Sequence, residues 1–308
     1  MVKVGFIGLG LMGRHMASNI LSAGYELVVF DLNPQAAEAL VESGAKLAAS
    51  VAELTRLVDV LFTSLPGPTE IEQVVLGAEG VLANATKGFV LYDLSTSSRS
   101  LSRRMAEEFE KVGAHMLDAP VSGGPPGAES GDLAIWVGGE QNIFERHEDL
   151  LKAVGKSAVH VGAVGSGNVV KLTHNLLGFM LWEAMAEVFS VGVKAGVEPL
   201  DLWKALRLGS AGKQSPLDLL VNQFLPGTFD EPAFALKLAY KDAVLGTGLA
   251  NELGVPLRLA NLVKEEMTEA MALGYGDRDA RSFLTLQLER SGTKIAVDPD
   301  KIKEAVAE

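Results

Sequence analysis

The sequence predicts an α/β fold, in which a doubly wound, mostly parallel sheet in the N-terminal half is joined by a long helix to an all-helical C-terminal domain. Three observations carry this prediction. Strand-like and helix-like segments alternate through the first half, as in successive βαβ units. A glycine-rich turn separates the first strand from the first helix. Beyond a glycine-rich joint at residues 162–167 no convincing strand is found, and the remaining segments have helical patterns.

The strands are predicted from short apolar or β-branched runs at residues 2–7, 27–30, 58–64, 89–93, 115–118, 134–137 and 158–160. Amphipathic segments lie between them at residues 35–43, 51–57, 69–75, 97–112 and 142–154. Ser50, followed by Glu53 three residues later, has the pattern of a helix capping box. The alternation favours a mostly parallel sheet.

The second half is predicted to be helical at residues 168–195, 199–207, 216–224, 232–253, 256–273 and 279–291. The first of these helices is uninterrupted and would be about 40 Å long. Several helices begin at or near a proline, and Gly254 and Gly274 lie where helices commonly end. The predicted domains are therefore residues 1–163 and 164–308, with a short, charged and loosely held tail from Asp298.

The glycine-rich turn has the G-x-G-x-x-G pattern of a dinucleotide-binding site. Gly8 permits a tight turn, Gly10 lets a pyrophosphate approach the backbone, and Gly13 lets the helix pack closely. The helix N-terminus adds unpaired N–H groups and a positive dipole end. Asp31 ends the second strand 18 residues after Gly13, where a carboxylate can accept from a ribose 2′-OH. This order favours a Rossmann-like, cofactor-binding domain over a glycine turn without a ligand.

We expect the cofactor to be NAD rather than NADP. A carboxylate at Asp31 accepts from the ribose of NAD but repels the 2′-phosphate of NADP, and residues 32–35 include no arginine. Thr96 follows another strand, where it contacts the nicotinamide ribose or helps to cap the next helix. The cofactor contacts expected so far are Gly8, Leu9, Gly10, Leu11, Met12, Gly13, Asp31, Leu65, Pro66 and Thr96.

Composition argues against several classes of function. A net charge of −12 disfavours nucleic acid as a partner. The absence of cysteine excludes disulfides, thiol catalysis and cysteine-bound zinc, and the histidines lack metal-ligand spacing, so no metal is expected. The longest fully apolar runs, such as residues 176–182, are too short to span a bilayer. With no signal-peptide pattern, we expect a cytoplasmic protein.

Lys171 and Asn175 lie on one line of the long helix, about 40° apart at 100° per residue. An ammonium and an amide on an otherwise apolar line indicate a site, because burying unpaired polar groups is costly. The alternative is that Lys171 extends to solvent near the helix start, and periodicity alone does not decide between them.

Other polar residues have simpler interpretations. Glu183, Glu187 and Lys194 form a second line on the same helix, interpreted as its solvent-facing stripe, and His174 is interpreted as a partly buried structural histidine. Lys237 lies one turn before Lys241, as on a solvated charged face.

Residues 118–128 follow a strand of the first domain and contain a Ser-Gly-Gly turn. The exposed N–H groups of such a turn suit a carboxylate. From these residues alone, a proline- and glycine-rich loop without a ligand is the simpler interpretation. The turn comprises Ser122, Gly123 and Gly124.

Four motifs in order resemble those of the β-hydroxyacid dehydrogenases, the group that includes 3-hydroxyisobutyrate dehydrogenase, tartronate semialdehyde reductase and glyoxylate/succinic semialdehyde reductases. They are FIGLGLMG at residues 6–13, the loop at 118–124, GNVVKLTHN at 167–175, and the Lys241-Asp242 pair. The resemblance covers essentially the whole chain. It implies that Lys171 is the catalytic general base in oxidation and general acid in reduction, and that Asn175 holds the substrate.

The resemblance further implies that Ser122, Gly123 and Gly124 grip the substrate carboxylate, and that Lys241 reaches toward cofactor and substrate. Thr96 resembles a cofactor contact in the same family. Two features depart from the family pattern: an apolar stretch at residues 176–180 and a proline pair at 125–126 that stiffens the carboxylate loop. Because the helical domain matches no one subfamily, the side chain of the substrate stays open.

The expected activity is hydride transfer between NAD(P) and the hydroxyl-bearing carbon of a small 3-hydroxy acid resembling 3-hydroxyisobutyrate, or its semialdehyde. The alternatives are a semialdehyde or glyoxylate reductase, a non-catalytic dinucleotide-binding module, and an imine reductase, which usually has another residue at the position of Lys171. We expect a small-molecule substrate and no nucleic acid or membrane partner. We also expect a homodimer or homotetramer, because the helix at 168–195 is apolar almost all round.

Overall fold

A computed structural model of the chain describes residues 2–213, 215–216 and 218–307. The predicted strands are all present, within two residues of their predicted bounds. The strands are β1 (Lys3–Ile7), β2 (Glu26–Phe30), β3 (Lys46–Leu47), β4 (Val60–Thr63), β5 (Val90–Asp93), β6 (His115–Asp118), β7 (Val121–Ser122), β8 (Ala134–Gly138) and β9 (Ser157–Gly162). β3 and β7 are not predicted by the sequence, because two residues are too few to show an alternating pattern.

The strands form one sheet in the order β3-β2-β1-β4-β5-β6-β8-β7, with β9 also paired to β8. β1 to β6 are parallel, whereas β8 runs antiparallel to β6 and β7 and parallel to β9. The predicted doubly wound, mostly parallel sheet is confirmed. The strand order reverses between β1 and β4, and open α/β sheets bind ligands in the crevice beyond the carboxyl ends of such strands.

Helices pack on both faces of this sheet, because successive strand residues point to opposite sides. Phe6 of β1 lies in one buried cluster with Met16, and the adjacent Ile7 lies in a second cluster with Leu54. The helices of this half are α1 (Gly13–Ser22), α2 (Glu38–Glu42), α3 (Val51–Leu57), α4 (Pro68–Leu76), α5 (Val81–Asn84), α6 (Arg99–Lys111), α7 (Gly124–Ser130), α8 (Gln141–Arg146) and α9 (Glu148–Val154).

Three local details differ from the sequence interpretation. The predicted helix at 142–154 is divided at His147 into α8 and α9. Ser50 Oγ accepts from Glu53 N at 3.1 Å as predicted, but the Glu53 carboxylate accepts from Ala49 N instead of Ser50 N. The proline pair at 125–126 lies in the first turn of α7, where the missing N–H groups remove no helical hydrogen bond.

The second half is helical, as predicted. Its helices are α10 (Ser166–Lys194), α11 (Pro199–Leu208), α12 (Ser210–Lys213), α13 (Leu236–Glu252), α14 (Leu259–Ala272), α15 (Leu284–Ser291) and α16 (Pro299–Ala307). Short 3₁₀ turns occur at Asp218–Leu220, Tyr275–Asp277 and Ala280–Phe283. The tail predicted to be loosely held forms α16.

Four predicted helices of this half are shorter than expected, and those predicted at 256–273 and 279–291 begin at Leu259 and Leu284. The segment at 216–224 has only the 3₁₀ turn Asp218–Leu220 among its described residues, and Leu217 lies outside them. The helix predicted from residue 232 begins at Leu236. The chain just before this helix is extended rather than helical, because Ala235 forms a β-bridge with Asp279 and Leu236 N donates to the Arg278 carbonyl at 2.8 Å.

Glu187 departs from the solvent-facing stripe predicted on the long helix, whereas Glu183 and Lys194 are exposed as predicted. Its residue is 7% exposed, and its carboxylate accepts from the N–H groups of Arg258, Leu259 and Ala260 at 2.6–2.9 Å. Burial acts to raise the pKa of Glu187, but these donors at the start of α14 outweigh burial and lower the pKa overall. A helical wheel cannot show this contact, because the donors lie about 70 residues further along the chain.

The chain divides into two compact units, Met1–Leu177 and Gly178–Glu308, at a point inside α10. The domain division predicted at 163/164 precedes this helix and stays a prediction. By length and composition alone α10 could cross a membrane, with a mean hydropathy of 1.5. The length argument against a membrane span is therefore wrong, because isolated polar residues interrupt the fully apolar runs without ending the helix. One such helix is weak evidence for a span, although only 6% of its apolar window is buried, unlike the core helix of a soluble protein.

Candidate active site

The glycine fingerprint forms the turn between β1 and α1. Gly8 has φ +93°, and a Cβ there would lie 2.3 Å from the carbonyl oxygen of Ser64. A Cβ on Gly13 would lie 1.8 Å from the carbonyl oxygen of Gly8, so only glycine lets α1 start this close to the turn. A Cβ on Gly10 would meet no heavy atom within 4 Å. Gly10 therefore borders open space that a ligand can approach.

This open cradle fits the pyrophosphate of a dinucleotide. α1 begins at Gly13, and Arg14, His15 and Met16 donate their N–H groups to the Gly10 and Met12 carbonyls, so the N–H groups at residues 11–13 are the ones that can face a ligand. Of the other predicted contacts in the turn, Leu9 is buried and packs in the core, Met12 is half-buried, and Leu11 is 67% exposed. The exposed Leu11 leaves an apolar side chain beside the cradle.

Asp31 lies where the sequence places it, at the end of β2, and it has a structural contact that the sequence does not reveal. Its Oδ2 accepts from Leu9 N at 2.7 Å, and its Oδ1 accepts from Asn33 N at 2.8 Å. The carboxylate thus fixes Leu9, the second residue of the fingerprint turn. A carboxylate oxygen can accept a second hydrogen bond, so Asp31 also keeps capacity for a ribose hydroxyl.

The end of β4 lies beside the fingerprint. The Leu65 side chain lies 3.1 Å from the position that a Cβ on Gly8 would take. The backbone N–H of Leu65 donates to Ser95 Oγ at 2.9 Å. Pro66 follows and is exposed. These contacts place Leu65 at the edge of the crevice between β1 and β4, and contact of Leu65 and Pro66 with a cofactor stays a prediction.

Thr96 lies in the loop after β5 and is half-buried between two buried serines. Ser95 is held through its hydroxyl and through its N–H, which donates to Asp93 Oδ1 at 3.1 Å. On the other side, Ser97 N donates to Asn168 Oδ1 at 2.7 Å. Hydrogen bonds thus fix the residues on either side of Thr96, Ser95 and Ser97, while the side chain of Thr96 stays partly accessible.

Asp93 is a fully buried acid beneath this loop. Its Oδ1 accepts from the Thr63 hydroxyl at 2.9 Å and from Ser95 N, whereas Oδ2 has no hydrogen-bond partner among the described residues. Burial raises the pKa of Asp93 to about 6, despite the hydrogen bonds from Ser95 and Thr63 that act to lower it. Asp93 ends the strand predicted at 89–93, but nothing in the sequence pattern shows that its carboxyl is buried.

A second buried acid holds the start of α10. Asp118 accepts from Gly165 N at 2.6 Å through Oδ1 and from Asn168 N at 2.7 Å through Oδ2. The helix approaches so closely that a Cβ on Gly167 would lie 2.3 Å from the Trp136 carbonyl oxygen. Burial raises the pKa of Asp118, although these N–H donors act in the opposite direction. Asp118 and Asn168 thereby fix the helix that carries Lys171 against the strand ends.

Lys171 and Asn175 are both half-buried, one helical turn apart on α10. Burial lowers the pKa of Lys171 below its ordinary value. A lower pKa increases the share of neutral amine near neutral pH, which is the form that accepts a proton. Half-burial of the whole residue fits both interpretations of Lys171, since a lysine that extends to solvent also buries its stem, so its catalytic role stays a prediction.

The carboxylate turn lies beside the same helix. Ser122 is in β7, and Gly123 and Gly124 follow with φ +139° and +63°, values that favour glycine. Ser122 Oγ lies 3.2 Å from His174 Nε2, and the imidazole ring packs against Trp136 at 5.1 Å between centroids. His174, interpreted from the sequence as a partly buried structural histidine, is exposed, and its ring contacts the turn. No periodicity could reveal this contact across 52 residues.

Lys241 lies on α13 in the second unit, and its predicted contact with cofactor and substrate stays a prediction. The side chain of its neighbour Asp242 lies outside the described residues. Within the described part of the chain, no group of three or more histidine or acidic residues could hold a metal ion.

Comparison with known proteins identifies relatives across the chain. The family described as the NAD binding domain of 6-phosphogluconate dehydrogenase matches residues 3–162, and the one described as NAD-binding of NADP-dependent 3-hydroxyisobutyrate dehydrogenase matches residues 165–286. The chain is 33% identical to 2-(hydroxymethyl)glutarate dehydrogenase of Eubacterium barkeri, over 96% of this chain and 98% of that one. It is 34% identical to mitochondrial 3-hydroxyisobutyrate dehydrogenase of Mus musculus, over 91% and 85% of the two chains.

A solved structure shows a similar fold. The 3-hydroxyisobutyrate dehydrogenase of Mycobacterium tuberculosis, determined with L-serine, has a TM-score of 0.65 and 26% identity. The match covers 93% of this chain and 99% of that one.

Proposed function

This chain belongs to the β-hydroxyacid dehydrogenase family, and we propose that it interconverts a small 3-hydroxy acid, resembling 3-hydroxyisobutyrate, and its semialdehyde. It is an oxidoreductase with an NAD(P)-binding domain. The nicotinamide cofactor, when bound, supplies the hydride acceptor or donor. The observation that carries the proposal is the half-buried amine of Lys171, with its lowered pKa, on the helix that contacts the Ser122 turn.

The residues of the chain divide the work by position. The hydroxyl of Ser122 and the N–H groups of Gly123 and Gly124 bind the substrate carboxylate. Lys171 takes the hydroxyl proton in oxidation and returns it in reduction. Asn175, one turn further along α10, donates its amide N–H to the substrate oxygen and holds it near the amine.

The experiment is a screen of 3-hydroxyisobutyrate, serine, glycerate, 3-hydroxypropionate and short semialdehydes with both forms of NAD and NADP. Replacing Lys171 with Ala removes the proton carrier and is expected to lower kcat by about 10²- to 10⁴-fold, with the dissociation constant of the cofactor unchanged. Lys264→Ala is the matched control, since Lys264 is also half-buried on a helix and donates to a nearby asparagine. Near-normal turnover in Lys171→Ala would remove this role.

We propose NAD as the preferred cofactor, because Asp31 presents a carboxylate where the 2′-phosphate of NADP would lie. Wild-type kcat/KM is expected to be higher with NAD than with NADP. Asp31→Asn keeps an oxygen acceptor for Leu9 N, gives up the acceptor for Asn33 N and removes the charge, so this variant is expected to narrow the difference in kcat/KM between NAD and NADP. Equal or better efficiency of the wild type with NADP would refute the preference.

We propose a homodimer or homotetramer in the cytoplasm. Many large apolar side chains of α10 and α11 are exposed within the second unit: Phe179, Met180, Trp182, Met185, Val188, Leu200, Trp203, Leu206 and Leu208. Exposed apolar area on this scale is typical of interaction surfaces. Sedimentation velocity of the full chain is expected to give a dimer or tetramer without detergent. Recovery only in the membrane fraction would refute both the cytoplasmic location and the detergent-free oligomer.

A further inference from the structure

The His174 side chain forms its hydrogen bond with the carboxylate turn and not with another residue of α10, the helix on which it lies. Its Nε2 lies 3.2 Å from Ser122 Oγ, and its ring packs on Trp136 at a tilt of 51°. At 100° per residue, His174 lies about 60° to one side of Lys171 and Asn175 about 40° to the other. The helix therefore presents an imidazole, an amine and an amide within one sector.

The chemistry of a serine hydroxyl makes the direction of this hydrogen bond important. A hydroxyl has one proton to donate and two lone pairs to accept with. If Ser122 donates to His174, its proton is not available to a carboxylate. If instead Nε2–H donates to Ser122 Oγ, the serine proton is free to point at the substrate.

We propose that His174 is a positioning residue that holds Ser122 by donating from Nε2–H, so that the Ser122 hydroxyl donates to the substrate carboxylate. The inference rests on the proposed function, since it assigns a task to the same carboxylate turn. The imidazole ring lies 5.1 Å from the Trp136 ring between centroids, on the same residue whose Nε2 reaches Ser122 Oγ. His174 itself touches Ser122 and need not touch the substrate.

The kinetic test uses the variants Ser122→Ala, His174→Phe, His174→Gln and the double variant Ser122→Ala/His174→Phe. The probe is the hydroxy acid with the highest kcat/KM among 3-hydroxyisobutyrate, serine, glycerate and 3-hydroxypropionate. His174→Phe keeps an aromatic ring beside Trp136 but cannot donate, so KM for the acid is expected to rise about tenfold with kcat and the KM for the cofactor little changed. His174→Gln places an amide N–H at similar reach and is expected to restore most of the affinity.

The double variant separates action through Ser122 from a general packing effect. Once Ser122 is Ala, His174→Phe has nothing left to position, so the double variant is expected to match Ser122→Ala. His160→Phe is the matched control, because His160 also packs on an aromatic ring and forms one hydrogen bond through Nε2, to the Gly139 carbonyl. It is expected to leave KM for the acid unchanged. An unchanged KM in His174→Phe, or an equal rise with and without Ser122, would overturn the inference.

A spectroscopic readout tests the donor direction without substrate or turnover. Long-range ¹H–¹⁵N spectra of the full chain, with the His174 signals assigned by their loss in His174→Gln, are expected to show a proton on Nε2. A neutral imidazole protonated only on Nδ1 would contradict the proposed direction. The proposed function fails differently: no acid would turn over, or Ser122→Ala would leave KM unchanged.

Discussion

Asp93 offers a stability measurement whose size and sign follow from its surroundings. The carboxyl is fully buried, Oδ1 accepts two hydrogen bonds, and Oδ2 has no partner among the described residues. Its pKa is raised from 3.8 to about 6. Asp93→Asn keeps an oxygen for Thr63 and Ser95 but removes the titration.

The sign follows from proton binding. Between pH 3.8 and about 6 the folded protein binds a proton at Asp93 that the unfolded chain does not. Stability from this group is therefore full below the unfolded pKa and falls as pH rises through the folded pKa. A shift of about two units corresponds to a loss of about 3 kcal/mol in total, of which about 1.4 kcal/mol falls between pH 5 and pH 8.

The assay is urea unfolding of wild type and Asp93→Asn at intervals from pH 5 to pH 8. The difference in unfolding free energy between the two proteins is expected to move in favour of Asp93→Asn by about 1.4 kcal/mol across this range. Because only the change of this difference with pH is compared, any pH-independent effect of the amide on the unfolding free energy cancels. Asp59→Asn, which alters an exposed carboxylate that accepts from Lys3 N, is the control. A difference that is flat with pH, or that moves in favour of wild type, would refute the reasoning.

Other outcomes follow from the fingerprint and from the start of α10. Gly13→Ala is expected to lose several kcal/mol of stability in urea unfolding, because its Cβ would lie 1.8 Å from a backbone oxygen. Gly10→Ala is expected to unfold at the same urea concentration as wild type but to lose cofactor affinity in calorimetry, since its Cβ occupies open space; unchanged affinity would contradict the cradle. Asp118→Ala is expected to cost about 2–6 kcal/mol in urea unfolding, because two buried N–H groups lose their acceptor. A cost no larger than that of Asp59→Ala would contradict the role of Asp118.

Much of the fold is predictable from the sequence, because it depends on patterns within ten to twenty residues. The alternation of strands and helices, the glycine fingerprint and the long α10 are visible in this way. The two-residue strands β3 and β7 are not, since their partners in the sheet define them. The start of α13 is likewise set by the bridge between Ala235 and Asp279.

The candidate site divides in the same way. Lys171, Asn175 and Asp31 can be chosen from the sequence, because a helical line, a strand end and a family motif mark them. The partners that position them cannot. Each of these contacts joins residues about 50 positions apart or more: Asp118 with Asn168, Asn168 with Ser97, and His174 with Ser122.

The sequence by itself thus determined the order of elements, the dinucleotide turn and the lysine helix, because local steric and hydrophobic patterns encode them. Only the tertiary structure decided which polar groups are buried, such as Glu187 and Asp93, and which face one another across the carboxylate turn. Burial and hydrogen-bond direction depend on packing between distant segments. Burial lowers the pKa of Lys171, and the direction of the hydrogen bond with His174 decides whether the Ser122 proton is available to a substrate.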